Sequence, residues 1–401
     1  MRIVQINDTY GTGSIGRLSK NISDILIKEK NKVLFLYAQG NADKKYCVKI
    51  SSPLLQKIHA LLSRLTGLQG YFSFFSTLKT VKTLREFKPD VVHLHNLHSN
   101  YINLKLLGKY LKRDNIGTVI TLHDCWMFTG KCTYYIPANC KKWKEGCGKC
   151  PLLHKDNVNP TLFFDTTRRC LIDKKKWIAS LDNLAIVGVS DWVTNEARQS
   201  IYKNKKLYRI YNWIDQDVFF YRKGDLRNKM ELVNEKIILM VSSSLSVKKG
   251  YHEMLFLAKN LPSEYQLIYI GRNSQNLSIP KNVIHIEHTD DAAQLAEYYS
   301  TADVCVNTTL YETFGMVTVE SMSCGTPVVV YNNTASPELV SEGCGVIVNQ
   351  SDGMGKIIEA IEIIVSWDRG KTREKCINYA QQTFNEIDAV KAYMDVYKSF
   401  S

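Results

Sequence analysis

Short apolar runs alternate with longer stretches of helical period along the whole chain, and the series runs twice. This is the pattern of a parallel sheet wrapped by helices, because parallel neighbours cannot be joined by a tight turn and need a crossover. In the first half the runs at 2–6, 32–37, 91–95, 118–122 and 185–189 read as strands, with a helix over 14–30 between the first two. In the second half they fall at 237–241, 267–270, 283–286, 304–307 and 327–331, and helices follow Gly250, Ala292, Gly315 and Ser336. Each half is therefore expected to be a doubly wound α/β unit of its own. A chain of 401 residues also exceeds what one hydrophobic core serves. The expected division is 1–213 and 214–383, joined near Asn212–Asp215, with a terminal helix in 384–401 that packs back on the first domain.

The formal charge of +13 is unevenly spread. Residues 1–200 hold 31 Lys and Arg against 15 Asp and Glu, and residues 201–401 hold 21 against 24. A basic first half points to an anionic partner, such as a pyrophosphate or an acidic membrane surface. No apolar run reaches the roughly 18 residues that a membrane span needs, and the first residues read as a buried strand and not as a secretion signal. A cytoplasmic protein is expected. Eleven cysteines, an odd number, argue against a disulfide framework.

The segment 311–329 carries the most chemistry. Glu312 and Glu320 stand on either side of Thr313-Phe314-Gly315-Met316, where a strand and loop run into a helix that opens at Phe314-Gly315. The first turn of a helix has unpaired N–H groups and a partial positive charge, so a phosphate binds there without any side chain. Glu312 precedes the helix and Glu320 lies about one and a half turns into it, on the same side. One carboxylate is placed for a sugar hydroxyl and the other for a ribose. Two solvated glutamates would be the plain alternative, but they leave the glycine at the helix start unexplained.

This Glu-x7-Glu segment resembles the signature of the retaining GT-B glycosyltransferases of carbohydrate-active family four. Supporting matches are Leu295–Val304 before it, Ser336-Pro337-Glu338-Leu339-Val340 and Gly343-Cys344-Gly345 after it, and Asn212-Trp213-Ile214-Asp215 at the hinge. The resemblance implies two Rossmann-like domains facing a central cleft. It implies that Glu312 holds donor hydroxyls, that the amides of Phe314, Gly315 and Met316 hold the distal phosphate, that Thr313 is also donor-binding, and that Glu320 holds the ribose. Lys249 matches the phosphate lysine. The family's arginine five residues earlier is Ser244 here, and Lys248 is a candidate substitute that lacks the guanidinium fork.

In the first half, Gly11-Thr12-Gly13-Ser14-Ile15-Gly16 follows the first strand and opens a helix. The resemblance places Gly13 against the donor phosphates. His123 ends the strand 118–122, at the edge where open α/β sheets gather ligands, and in the family a histidine here meets the donor sugar near the reacting carbon. Its neighbour Asp124, with His95 at the end of another strand, marks a candidate acceptor side. The implied reaction retains the anomeric configuration, uses a UDP- or GDP-sugar and needs no metal or cofactor for catalysis.

Cys132, Cys140, Cys147 and Cys150 cluster among lysines and a tryptophan. The Cys147-Gly148-Lys149-Cys150 pair has thiolate-ligand spacing, so a structural zinc is one reading and reduced thiols or a labile disulfide are the others. The run from His123 to Pro151 resembles an insert of glycosyltransferases of colanic acid, capsule and O-antigen assembly. That implies an undecaprenyl-diphosphate-linked acceptor at the anionic inner face of the membrane, where the segment 54–87 either lies on the bilayer or forms a core helix pair. The rivals are an inactive sugar-nucleotide-binding subunit, a sugar-nucleotide epimerase and a zinc-bearing nucleic-acid-binding protein. The last leaves Glu312, Gly315 and Glu320 unexplained, and no nucleic-acid partner is expected.

Overall fold

The computed structural model describes residues 1–155, 160–232, 235–289 and 291–400. Its contacts divide the chain into two units, Met1–Tyr211 with Ile387–Ser401, and Asn212–Glu386.

In the first unit seven strands form one parallel sheet: β1 (Arg2–Ile6), β2 (Lys32–Tyr37), β3 (Cys47–Lys49), β4 (Val91–Leu94), β5 (Gly117–Leu122), β6 (Leu184–Gly188) and β7 (Lys206–Arg209). Their order is β3-β2-β1-β4-β5-β6-β7. In the second unit six strands do the same: β8 (Lys236–Ser244), β9 (Tyr265–Arg272), β10 (Val283–Ile286), β11 (Val304–Asn307), β12 (Val328–Tyr331) and β13 (Gly345–Val348). They run in the order β10-β9-β8-β11-β12-β13. Both units are thus Rossmann-like, and in each the strand order reverses once, between β1 and β4 and between β8 and β11. The central strands β4, β5, β6, β11 and β12 are buried at every position, which is why they read in sequence as near-continuous apolar runs.

Three strands and two helices depart from the sequence expectation. β3, β7 and β13 are sheet-edge strands of three or four residues, mostly half-buried or exposed, so they lack the apolar run that announced the others. The helix expected after Ser336 is a single 3-10 turn, Pro337–Leu339. The helix expected to open at Phe314-Gly315 begins at Met316, with Gly315 as its cap.

The last helix, Glu386–Lys398, belongs with the first unit although the second unit precedes it in the chain. Val390, Tyr393, Val396 and Tyr397 are buried, and each such side chain contributes roughly 1.5–3 kcal/mol. Tyr397 is hydrogen-bonded to Nδ1 of the buried His93 in β4 (2.7 Å), and Tyr393 to Thr121 in β5 (3.1 Å). Gly117 opens β5 because a Cβ there would sit 2.8 Å from the ring of Phe400. Substituting Tyr397→Phe removes the hydroxyl that a buried imidazole nitrogen relies on, and urea unfolding is expected to show a loss of about 1–3 kcal/mol. An unchanged midpoint would show that the Tyr397–His93 hydrogen bond adds nothing measurable to stability.

Candidate functional site

In the second unit the loops after β8 and β11 leave the sheet side by side, at the reversal of strand order. The β8 loop ends in the 3-10 turn Val247–Lys249 and brings Lys249 into an ion pair with Oε1 of Glu312, from the β11 loop. Gly250 takes φ 90°, and a Cβ there would lie 2.5 Å from the Thr308 hydroxyl, so the two loops meet only with glycine at this point. Glu312 is fixed through its backbone, its N–H donating to the Thr334 hydroxyl (2.9 Å) and its carbonyl accepting from Ala335 (3.4 Å).

Around this carboxylate several buried polar atoms have no protein partner. They are Oε2 of Glu312, both ends of the Asn333 amide and the Ser336 hydroxyl. An unsatisfied buried polar group costs about 1–3 kcal/mol, and several on one loop are the mark of a site that a hydroxyl-rich ligand completes. Gly315 (φ 122°) lies beside them, and a Cβ on it would come within 3.0 Å of Glu312 Oε2. The first backbone bond of the helix Met316–Ser323 runs from Thr318 N–H to Gly315 C=O (3.1 Å), so the amides before Thr318 have no partner within the helix. Asn333 and Ser336 had gone unremarked in sequence as ligand groups, since an Asn-rich turn after a strand reads as an ordinary connection.

Glu320 is only 7% exposed, and its Oε2 accepts from the buried Tyr299 hydroxyl (3.1 Å). It shares a helix with the Gly315 cap but is engaged in the interior. Lys248 lies 4.3 Å from the centre of the Tyr311 ring, and Ser244 is hydrogen-bonded to Ser274 (3.0 Å).

In the first unit the ends of β1, β4 and β5 carry a chain of buried side chains. The Gln5 amide nitrogen donates to the Ser19 carbonyl (3.1 Å) and the Ser23 hydroxyl (2.6 Å), which turns its oxygen toward His95 Nε2 (2.9 Å). His95 must then carry its proton on Nε2, leaving Nδ1 as the acceptor facing His123 Nε2 (3.1 Å). His123 in turn is protonated on Nε2, and its Nδ1 is a lone-pair acceptor. Burial pushes His93 and His95 well below the usual imidazole range and takes His123 down to about 4. His123 is therefore a neutral imidazole with its proton on Nε2.

Asp124 points elsewhere. Its carboxylate meets His98 Nε2 (2.9 Å) and accepts the Trp126 amide (2.8 Å). Burial works against both charges, yet their mutual attraction holds His98 above and Asp124 below their ordinary values. Asp124 thus fixes the loop after β5. Gly13 opens the helix Gly13–Lys28 at φ 67°, and a Cβ there would meet nothing within 4 Å.

Cys132, Cys140, Cys147 and Cys150 all line one small pocket. Gly130 N–H donates to Cys147 Sγ (3.3 Å), and a hydrogen bond from Cys132 brings the Cys150 thiol down to about 7. Even so, no group of three or more Cys, His, Asp or Glu side chains among the described residues is arranged to hold a metal ion. Several lysines of this region serve the fold: Lys131 is buried and donates to the Leu153 carbonyl (2.7 Å), and Lys142 caps the Lys149 carbonyl (2.8 Å).

Comparison with known proteins adds the following. The family model described as Glycosyltransferase Family 4 matches residues 20–218, and that described as Glycosyl transferases group 1 matches residues 223–383. An uncharacterized 41.2 kDa protein in the cps region of Klebsiella pneumoniae is 26% identical over 325 residues, covering 78% of this chain and 80% of that protein. The putative colanic acid biosynthesis glycosyl transferase WcaC of Escherichia coli K12 is 25% identical over 272 residues, covering 66% of this chain and 65% of its own. Among solved structures, Anabaena Alr3699/HepE in complex with UDP-glucose superposes with a TM-score of 0.65 at 16% identity and covers 100% of both chains.

Two measurements follow from the titrating groups. His59 and His123, held neutral with values near 4, and His93 and His95, lowered further by burial, refuse protons that the unfolded chain accepts near 6.5. Their contribution is complete above that pH and is lost as pH falls toward about 4. The opposite trend of His98 is outnumbered. Calorimetry is expected to show a falling melting temperature of the first unit between about pH 7 and pH 5, and a flat profile would contradict the neutral assignment. For the cysteines, iodoacetamide near neutral pH is expected to modify Cys150 first. Protection of all four thiols that a chelator relieves would instead establish bound zinc.

Proposed function

The chain belongs to the GT-B glycosyltransferases of group 1 and family 4, and from that premise we propose that it moves a sugar from a nucleotide-sugar donor, with retention, to a lipid-linked saccharide in the assembly of a bacterial surface polysaccharide. One observation carries the donor half of this reading: the Lys249–Glu312 pair, with its cluster of unpartnered buried polar atoms, stands beside the open amides at Gly315. A diphosphate suits the cation and the amides, and a sugar suits Glu312, Asn333 and Ser336. The relatives from a cps region and from colanic acid biosynthesis support the polysaccharide setting, and the UDP-glucose complex of Alr3699/HepE supports a UDP- or GDP-sugar as donor.

In the proposed reaction the bond between the anomeric carbon and the leaving phosphate oxygen breaks while the acceptor oxygen bonds to the same face of that carbon. The acceptor's proton passes to the departing diphosphate, whose charge Lys249 and the helix amides stabilise. His123, neutral with an acceptor nitrogen, orients a donor hydroxyl and carries no proton through the step.

The membrane side of the proposal rests on the helices Pro53–Thr66 and Phe74–Phe87. The first buries only His59 and Ser63, while Leu54 and Leu61 are 67% and 56% exposed. Phe74, Phe75 and Leu78 of the second are exposed too. A core helix pair would bury these side chains, whereas an interfacial pair presents them to the acyl region. No helix among the described residues is long and apolar enough to cross a membrane.

A panel of UDP- and GDP-sugars tests the donor assignment. The true donor, at about a hundred times its dissociation constant, stabilises the chain by ~2.7 kcal/mol. Glu312→Gln is expected to keep the parent melting curve and to lower transfer by about a hundredfold or more. Undiminished transfer would remove Glu312 from the site, binding without turnover would mark an inactive subunit, and an epimer formed without acceptor would mark an epimerase.

A further inference from the structure

A second cavity lies within the first unit, between the helices Leu104–Arg113 and Thr167–Ala179, with a volume of about 390 Å³. None of the residues assigned above to the donor or to the histidine chain lines it. One wall is apolar, formed by Leu104, Gly108 and Trp177, and closed by the loop at Tyr71. The Trp177 ring packs directly on Gly108, where a Cβ would fall 1.8 Å from the indole. Trp177 is 8% exposed, and its indole N–H, which is buried, has no hydrogen-bond partner.

The rim is cationic. Lys105, Lys109 and Lys112 stand along one side of their helix, and Lys176 faces them from the other helix. All four are exposed, and none has an acidic side chain at ion-pair distance among the described residues. The only carboxylate in the lining is Asp173, which is already engaged by the Tyr71 hydroxyl (2.6 Å) and approached by Arg169 (3.9 Å). Lys174, also in the lining, is committed to the Trp126 and Thr129 carbonyls (2.5 and 3.0 Å). Four unpaired cations over an apolar slot match a ligand with an anionic head and a hydrocarbon body.

We propose that this cavity binds a single-chain amphipathic phosphate, its head among Lys105, Lys109, Lys112 and Lys176 and its hydrocarbon against Leu104, Gly108 and Trp177. The loop that closes the cavity at Tyr71 also joins the two helices with outward-facing apolar residues, so on the membrane reading proposed above the cavity lies close to the lipid-facing helices. The proposal does not depend on the donor assignment.

The test uses the full chain and three probes in calorimetric titration: decyl phosphate, decyl glucoside and inorganic phosphate. Decyl phosphate is expected to saturate one site, and the Lys105→Ala/Lys109→Ala variant to weaken it roughly tenfold or more. Lys176→Glu is expected to weaken it as well. Inorganic phosphate binding as tightly as decyl phosphate would make this a free-anion site and overturn the proposal. Equal binding of decyl glucoside would reduce it to an apolar slot and overturn it too. So would decyl phosphate binding that ignores the lysine substitutions. Thermal stabilisation by UDP, measured in the same variants, separates a failed cavity from a failed donor site or a misfolded chain.

Discussion

Parallel pairing governs both units. When every strand runs the same way, all the chain exits of a sheet lie along one edge, and the two exits flanking the reversal of strand order diverge to leave a crevice. Lys249 and Glu312 leave the second sheet from those two exits, and the loop opening the Gly13 helix and His95 leave the first from the corresponding pair. The site residues, scattered over three hundred positions in sequence, are neighbours within each unit for this reason alone. Glycines at 250 and 315 then set how closely the loops approach, since a side chain at either would collide with Thr308 or with Glu312.

The main polar clusters of the two units differ. In the second, buried oxygens and nitrogens around Glu312 are left without protein partners beside a cation and open amides. In the first, His95 and His123 form a hydrogen-bonded chain whose direction is decided at Gln5, by its contacts to Ser19 and Ser23. One amide orientation on β1 thereby dictates which nitrogen of His123, two strands away, accepts a hydrogen bond. The low interior dielectric keeps the whole network neutral.

The central strands were legible because a strand buried on both faces has to be apolar throughout, and the capped helix at Gly315 because a glycine between a strand and a helical period has few other uses. The edge strands β3, β7 and β13 were not, since half-buried positions accept lysine, tyrosine and arginine as readily as valine. Nor was the segment 53–66 settled: its apolar period announces a helix equally well whether that face turns to a core or away from it, and here it turns away. Glu320 shows the same ambiguity for charge. Helical spacing gives the side of the helix on which a carboxylate lies, but only packing reveals that Tyr299 has already claimed it. Gln5 and Asn333 carry no sequence signal of their own, because their importance arises from contacts tens to hundreds of residues away or from the contacts they lack.

Placement of the final helix on the first sheet has a consequence for biosynthesis. His93 and Thr121 wait for the hydroxyls of Tyr397 and Tyr393, which are synthesised long after β4 and β5. Domains usually fold in the order they emerge, but here the nascent N-terminal half has to hold an uncovered patch of β4 and β5 while some two hundred further residues are made. The C-terminal half can close first, so the order of completion is the reverse of the order of synthesis.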